Sequence, residues 1–163
     1  MRVYLPSTLP AVARLVRTGQ IDSPARGHAV TPALREWYSS GDIDELEYVA
    51  MMHAAKASLR LLQADPAVPR RRVVLAVELP AEQVVADPGF EEPGLVKVTG
   101  PVLASDVVSG HIDDLDAAAE IAEAIAALPA ADAGDADARF IVDGADGHEL
   151  LWYATQELGD VAG

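Results

Sequence analysis

The chain opens on Arg2-Val3-Tyr4-Leu5, a short apolar segment that predicts a strand, and turns polar at Ser7-Thr8. A hydroxyl there can cap a helix that tolerates Pro10 in its first turn and ends at Gly19. Its apolar stripe is Leu9, Val12, Leu15 and Val16. Residues 20–27 predict a loop, and residues 28–30 a short extended piece. Thr31-Pro32 starts a second helix through Leu34, Trp37 and Tyr38, which stops near Ser40-Gly41. Asp42 and Glu45 then form a capping box for the longest helix, over about residues 43–63. Ile43, Leu46, Ala50, Ala54, Ala57 and Leu61 make its main face, while Tyr48, Met52, Leu59 and Leu62 cover much of the other side. A helix apolar nearly all round is predicted to be central and buried, and its small alanines let a sheet approach closely.

Residues 65–69 predict a turn, and Arg70-Arg71-Arg72 a solvated approach to the clearest strand, residues 73–79. That strand is almost continuously apolar, as expected when both faces are covered. Residues 80–93 predict one helical turn and a loop punctuated by Pro88-Gly89 and Pro93-Gly94. Strands follow at 95–99 and 107–112. Asp113 or Asp114 caps a helix to residue 128 with Leu115, Ala118, Ala122 and Ile125 inward. Residues 129–138 predict a mobile acidic loop and residues 139–142 a last strand. Asp146 and Glu149 cap a terminal helix through Leu158. The predicted fold is therefore a single α+β domain over residues 1–158, with a flexible tail at 159–163. Its mixed sheet has about five short strands, with the long helix across one face.

Charge changes this picture more than composition does. Of the 163 residues half are apolar, and 12 basic against 26 acidic residues give a net charge of −14. Residues 1–72 carry a balance of +3 and residues 73–163 one of −17. So acidic a second half attracts basic partners and repels nucleic acid, whose binding rests on Lys and Arg. The absence of cysteine excludes disulfides, thiolate nucleophiles and Cys-ligated metal centres. Pro6, Arg14 and Arg17 interrupt any signal-peptide core, and no apolar run approaches the ~20 residues of a membrane span. These features predict a cytoplasmic protein.

Four segments together resemble a family of small actinobacterial proteins of uncharacterised function. They are Val3-Tyr4-Leu5-Pro6-Ser7-Thr8, Val30-Thr31-Pro32-Ala33-Leu34-Arg35-Glu36-Trp37-Tyr38, the strand 73–80, and Glu149-Leu150-Leu151-Trp152-Tyr153. The resemblance covers nearly the whole chain and implies a bacterial cytosolic protein from a GC-rich genome. Ten Arg against two Lys, with many alanines, are in keeping with that. The family carries over no catalytic residue. The order of elements is also similar to compact ADP-ribosyl-transfer folds, which place a His or Arg directly after the first strand. Here Leu5-Pro6-Ser7-Thr8 stands in that place, a departure from the pattern.

Complete catalytic motifs are absent: there is no phosphate loop, dinucleotide fingerprint or nucleophile elbow. His148-Glu149 begins a zinc-protease pattern, but Trp152 occupies the second histidine's place. Asp143, Asp146 and Glu149 fail the calcium-loop spacing. His111, at a strand end ahead of Asp113, is the better candidate for acid–base chemistry, with Asp113 its partner. His53 reads as a partly buried, hydrogen-bonded histidine. Leu34, Trp37 and Tyr38 share a helical spacing that points to the core. A binding reading instead leaves an indole exposed beside Arg35, so that Arg35, Trp37, Tyr38 and Trp152 anchor a partner. The function predicted is a non-enzymatic interaction module whose acidic surface meets a basic protein, with no cofactor, metal, nucleic acid or membrane. The alternative is a small transferase or hydrolase with a diverged nucleotide-binding fold and a pocket near the first strand.

Overall fold

The computed structural model describes residues 1–21, 25–86 and 92–163. Nine strands lie among them: β1 (Arg2–Ser7), β2 (Gln20–Ile21), β3 (Ala25–His28), β4 (Val73–Glu78), β5 (Val84–Ala86), β6 (Leu95–Val98), β7 (Val102–Leu103), β8 (Val107–Asp113) and β9 (Leu150–Ala154). The helices are α1 (Leu9–Thr18), α2 (Pro32–Trp37), α3 (Ile43–Ala64), α4 (Ala118–Asp132), α5 (Ala136–Asp143) and α6 (Leu158–Ala162). Seven strands form one sheet in the order β5-β6-β3-β1-β4-β8-β9, and β2 pairs separately with β7. Every pairing in the large sheet is antiparallel. The domain is α+β as expected, but its sheet is neither mixed nor limited to five strands. The short strands β2, β5 and β7 carry too few residues for a period to emerge, and β3 lies where a loop was predicted.

The central strands explain the two-sided apolar run. Val73, Leu75 and Val77 of β4 join Val3 and Leu5 of β1 against Leu9, Val12 and Leu15 of α1 and Leu158 of α6. Val74 and Ala76 face the other way and meet Tyr4, Leu34 and the α3 residues Leu46, Ala50 and Ala54. The alanines of α3 do let the sheet approach. The far end of α3, through Leu59 and Leu62, packs on a hairpin of α4 and α5 that contributes Ile121, Leu128 and Val142.

Local signals place most helix starts. Thr8 Oγ1 accepts from Ala11 N, Thr31 Oγ1 from Leu34 N, and Asp42 Oδ1 from Glu45 N. Gly19 takes a positive φ of 83° and its N–H reaches Leu15 O, closing α1. The long helix is not buried all round, however: Ile43, Tyr48 and Leu61 are exposed. Only the Leu46-Ala50-Ala54 side and its continuation through Ser58 and Leu62 are covered.

The last third of the chain departs most from the expectation. Residues 129–138 are not a mobile acidic loop: α4 runs through Pro129 to Asp132, Ala131 is buried, and Asp135 Oδ1 caps α5 by accepting from Ala138 N. Pro129 lies in the last turn of α4. Residues 139–142 are helical rather than extended, with Ala138 and Val142 buried one turn apart. The inward face of α4 is Ile121, Ala124 and Leu128, and Leu115 is exposed. Residues 150–154 form the edge strand β9 rather than a helix. Residues 159–162 are not a free tail, because they belong to α6 and Val161 and Ala162 rest on the core. The predicted turn at Pro88-Gly89 lies outside the described residues.

Candidate functional site

The sheet register builds one row of side chains beneath α3. His28 of β3 stands opposite Tyr4 of β1, Tyr4 opposite Ala76 of β4, and Ala76 opposite Ser109 of β8. Directly opposite residues share a face, and this is the face on which α3 lies. Two residues along, His111 stands opposite Trp152 of β9. Three hollows follow the exposed flank of α3 above this row. The first, of about 380 Å³, is lined by Trp37, Tyr38, His53, Glu92 and Pro93. The second, of about 260 Å³, shares Tyr38 and His53 with it and reaches Tyr48, Lys56 and Asp146. The third, also about 260 Å³, shares Tyr48 and is bounded by Tyr4, Asp44, Glu47, His111 and Trp152. Shared lining residues place the three side by side along α3, and this row of hollows is termed the α3 groove.

The aromatic walls follow from local structure. Leu34 is the buried anchor of the six-residue helix α2. The helix ends at Trp37, and Tyr38 adopts extended angles, φ −104° and ψ 90°, which turn the chain off the helical face. Trp37 is consequently 71% exposed rather than part of the core its spacing suggested. Trp152, on the edge strand β9, is 62% exposed. The groove thus brings together Trp37, Tyr38, Trp152 and His111, while Arg35, exposed on α2, is not among its lining residues.

Asp113 is not available for chemistry. It is fully buried and holds the guanidinium of Arg72, itself 1% exposed. Arg72 Nε donates to Asp113 Oδ2 at 2.9 Å and Nη2 to Oδ1 at 2.9 Å, and the Arg72 backbone N–H reaches Oδ2 at 2.7 Å. The predicted solvated arginine turn is therefore partly an interior one. Arg70 also turns inward, donating through Nη1 to Leu62 O. Other acids of the second half meet bases of the first. Arg60 forks onto Asp132 with both contacts at 2.6 Å, Lys56 lies 3.5 Å from Asp143, and Arg2 donates to Glu78 at 2.9 Å. The steep charge division along the sequence is softened by this folding.

Two of the four histidines converge. His28 and His53 stand edge to face with ring centroids 5.8 Å apart. Glu92 lies between them, Oε2 at 3.4 Å from His28 Nε2 and Oε1 at 3.3 Å from His53 Nδ1. Both contacts are off the hydrogen-bonding direction, so among the described residues His53 Nδ1 and both ring nitrogens of buried His28 lack a hydrogen-bond partner. The contact with His28 holds the Glu92 carboxyl below the ordinary carboxylate range, against the opposing effect of burial. His148 is elsewhere, with Nε2 2.6 Å from Glu120 Oε2. His111 Nε2 lies 3.0 Å from Ser109 Oγ. Glu92, Ser109 and Tyr48 were not singled out by the sequence, where a carboxylate between punctuating prolines has no distinguishing signal. Among the described residues no group of three His, Asp or Glu side chains is placed to hold a metal ion.

Burial pushes the imidazoles of His53 and His111 below the ordinary histidine value of 6.5. The unfolded chain then takes up those protons first as the pH falls, so stability declines from about pH 6.5 downward until the folded imidazoles titrate as well. Glu92, depressed instead, stabilises the fold above its unfolded value of 4.5 and loses that contribution only in stronger acid. The urea midpoint is expected to fall between about pH 7 and 5, with a flatter slope in the His53→Gln/His111→Gln double variant. Equal slopes would assign the decline to other groups.

No curated protein and no solved structure matches the chain, and no helix among the described residues is long and apolar enough to cross a membrane. A family model matches residues 1–162, and the chain belongs to that family, the family of unknown function DUF6912.

Proposed function

We propose that the protein is a non-enzymatic interaction module that receives a basic, extended segment of a partner protein in the groove along α3. The observation that carries this reading is the composition of the groove. Exposed aromatic faces at Trp37, Tyr48 and Trp152 alternate with the carboxylates Asp44, Glu47, Glu92 and Asp146. Its two cations are already engaged, Arg2 by Glu78 and Lys56 by Asp143. Guanidinium and ammonium groups are attracted both to the rings and to the acids, whereas a polyanion is repelled. The setting we propose is the cytoplasm of an actinobacterium, in keeping with the alanine- and arginine-biased composition.

Both tryptophans of the chain line the groove, so intrinsic fluorescence reports its occupancy. The probe is a decapeptide of alternating arginine and alanine. Binding at low salt is expected to weaken at least tenfold on raising ionic strength to about 0.5 M, where exposed charges are strongly screened. The Asp44→Lys/Glu47→Lys variant should lose binding, whereas Glu123→Lys/Asp137→Lys, an equal charge change on the α4–α5 hairpin, should keep it. Equal loss in both pairs, or binding indifferent to salt, overturns the proposal.

One specific contact favours a second reading, a small hydrolase or transferase. Ser109 Oγ and His111 Nε2, 3.0 Å apart beside the third hollow, are the hydroxyl and base of an acyl-transfer nucleophile. A fluorophosphonate probe should label Ser109 in the native protein and not in His111→Gln. Absence of labelling in the native protein sets this reading aside.

A further inference from the structure

A separate hollow lies away from the α3 groove, at the end of β1. β1 pairs with β4 at six successive positions, Pro6 opposite Val74 among them, and with β3 at Tyr4 opposite His28. Pro6 has no N–H to donate, and a proline inside a sheet ends pairing on the side it should serve. The hollow, of about 460 Å³, lies where Ser7 and Thr8 lead into α1. That volume is in the range of small-molecule pockets.

The walls and rim differ in character. Leu5, Leu15 and Leu75 are buried behind it, and the apolar surface facing the hollow comes from the partly exposed Pro6, Ala11 and Ile21 and from exposed Leu61. Arg14 and Arg26 are exposed and stand at the rim. In a chain with 26 acidic and 12 basic residues, the described lining of this hollow holds two arginines and no carboxylate. The Arg14 guanidinium has no ion-pair partner among the described residues. An apolar body entering the hollow would bring its head group to this rim, where a planar carboxylate matches a guanidinium fork.

We propose that this hollow binds a small apolar-tailed monoanion, a free medium-chain carboxylate, with the tail against Ala11, Ile21 and Leu61 and the head at Arg14. The occupant is selected by charge at the rim and by length in the interior. Each added methylene should strengthen binding about fourfold until the hollow is filled.

The test is calorimetric titration of the full chain with decanoate below its micellar concentration, beside octanoate, decanol and decyltrimethylammonium. Saturable one-to-one binding of decanoate is expected, about sixteenfold tighter than octanoate and at least tenfold tighter than decanol. No binding of decyltrimethylammonium is expected. Arg14→Gln should weaken decanoate at least tenfold and leave decanol unchanged, Arg14→Lys should lose less, and Ala11→Phe should fill the space and abolish both. Thermal unfolding of each variant confirms that it is folded, and methyl shifts at Ala11, Ile21 and Leu61 place the ligand. The proposal is overturned if decanoate does not bind saturably, if decanol or the cationic amphiphile binds as well, or if folded Arg14→Gln and Ala11→Phe both retain native affinity. Dispersed phosphatidylglycerol vesicles that compete for the site would identify a membrane lipid, rather than the free acid, as the occupant and would overturn it equally. None of these readouts involves the α3 groove.

Discussion

Asp113→Ala is expected to lower the free energy of unfolding by about 3–5 kcal/mol, because it strips a buried guanidinium of its counter-charge. Three donors from Arg72 converge on that carboxylate, and Arg72 Nη2 makes a fourth contact at 3.1 Å with His148 O, just ahead of β9. Arginine stays protonated at any pH the fold survives, so the cationic side chain cannot relieve the loss by neutralising. It must draw water inward or open the junction between β4, β8 and β9. A small domain has only about 5–15 kcal/mol in total, so much of its stability goes with one carboxylate. Replacing both members together, as Arg72→Met/Asp113→Leu, should recover most of that loss, since desolvating the pair largely offsets its attraction. Urea unfolding of the single and double variants measures both quantities. A loss under about 1 kcal/mol for Asp113→Ala would mean that solvent reaches the pair readily.

Leu158→Ala should cost about 2–5 kcal/mol, the range for a buried leucine whose surroundings cannot collapse into the gap. Leu158 is 2% exposed and its side chain lies directly over Gly110 of β8, where a Cβ would collide with it. This contact holds α6 to the sheet and, through it, to α1. Gly110→Ala should accordingly destabilise the native chain more than the Leu158→Ala background, and the difference measures the coupling. Identical effects in both backgrounds would show that the helix does not rest on that glycine.

The reach of the sequence is clear at these two places. Chemical signals at fixed offsets were legible: Thr8, Thr31 and Asp42 each start a helix, and Gly19 ends one. The doubly covered strand β4 was legible from its unbroken apolar run. What failed were choices that tertiary neighbours make. Residues 150–154 extend because β8 offers an unpaired edge, although Asp146 and Glu149 look like a helix start. Residues 129–138 stay helical because Ala131 and Ala138 find burial in the α4–α5 hairpin, although no large apolar residue announces it. Leu158 anchors the final helix with little other apolar content around it in sequence. The candidate site was legible in its aromatics and in His111. It was misread at Asp113, whose burial depends on an arginine 41 residues earlier. Glu92 could be found only once His28 and His53 were brought into register from separate elements.

The antiparallel sheet has a consequence for how the chain assembles. Its central strand β1 is completed by a partner far along the polypeptide, with Arg2 opposite Glu78 across a separation of 76 residues. A growing chain holds a Val3-Tyr4-Leu5 ribbon with one edge unpaired until β4 emerges from the ribosome, and β8 and β9 come later still. Loop closure over such distances must precede any reward from pairing, which makes acquisition of the native state slow for a protein of this size. During that wait the early helices α1 and α3 are the local structures able to shelter the ribbon from aggregation.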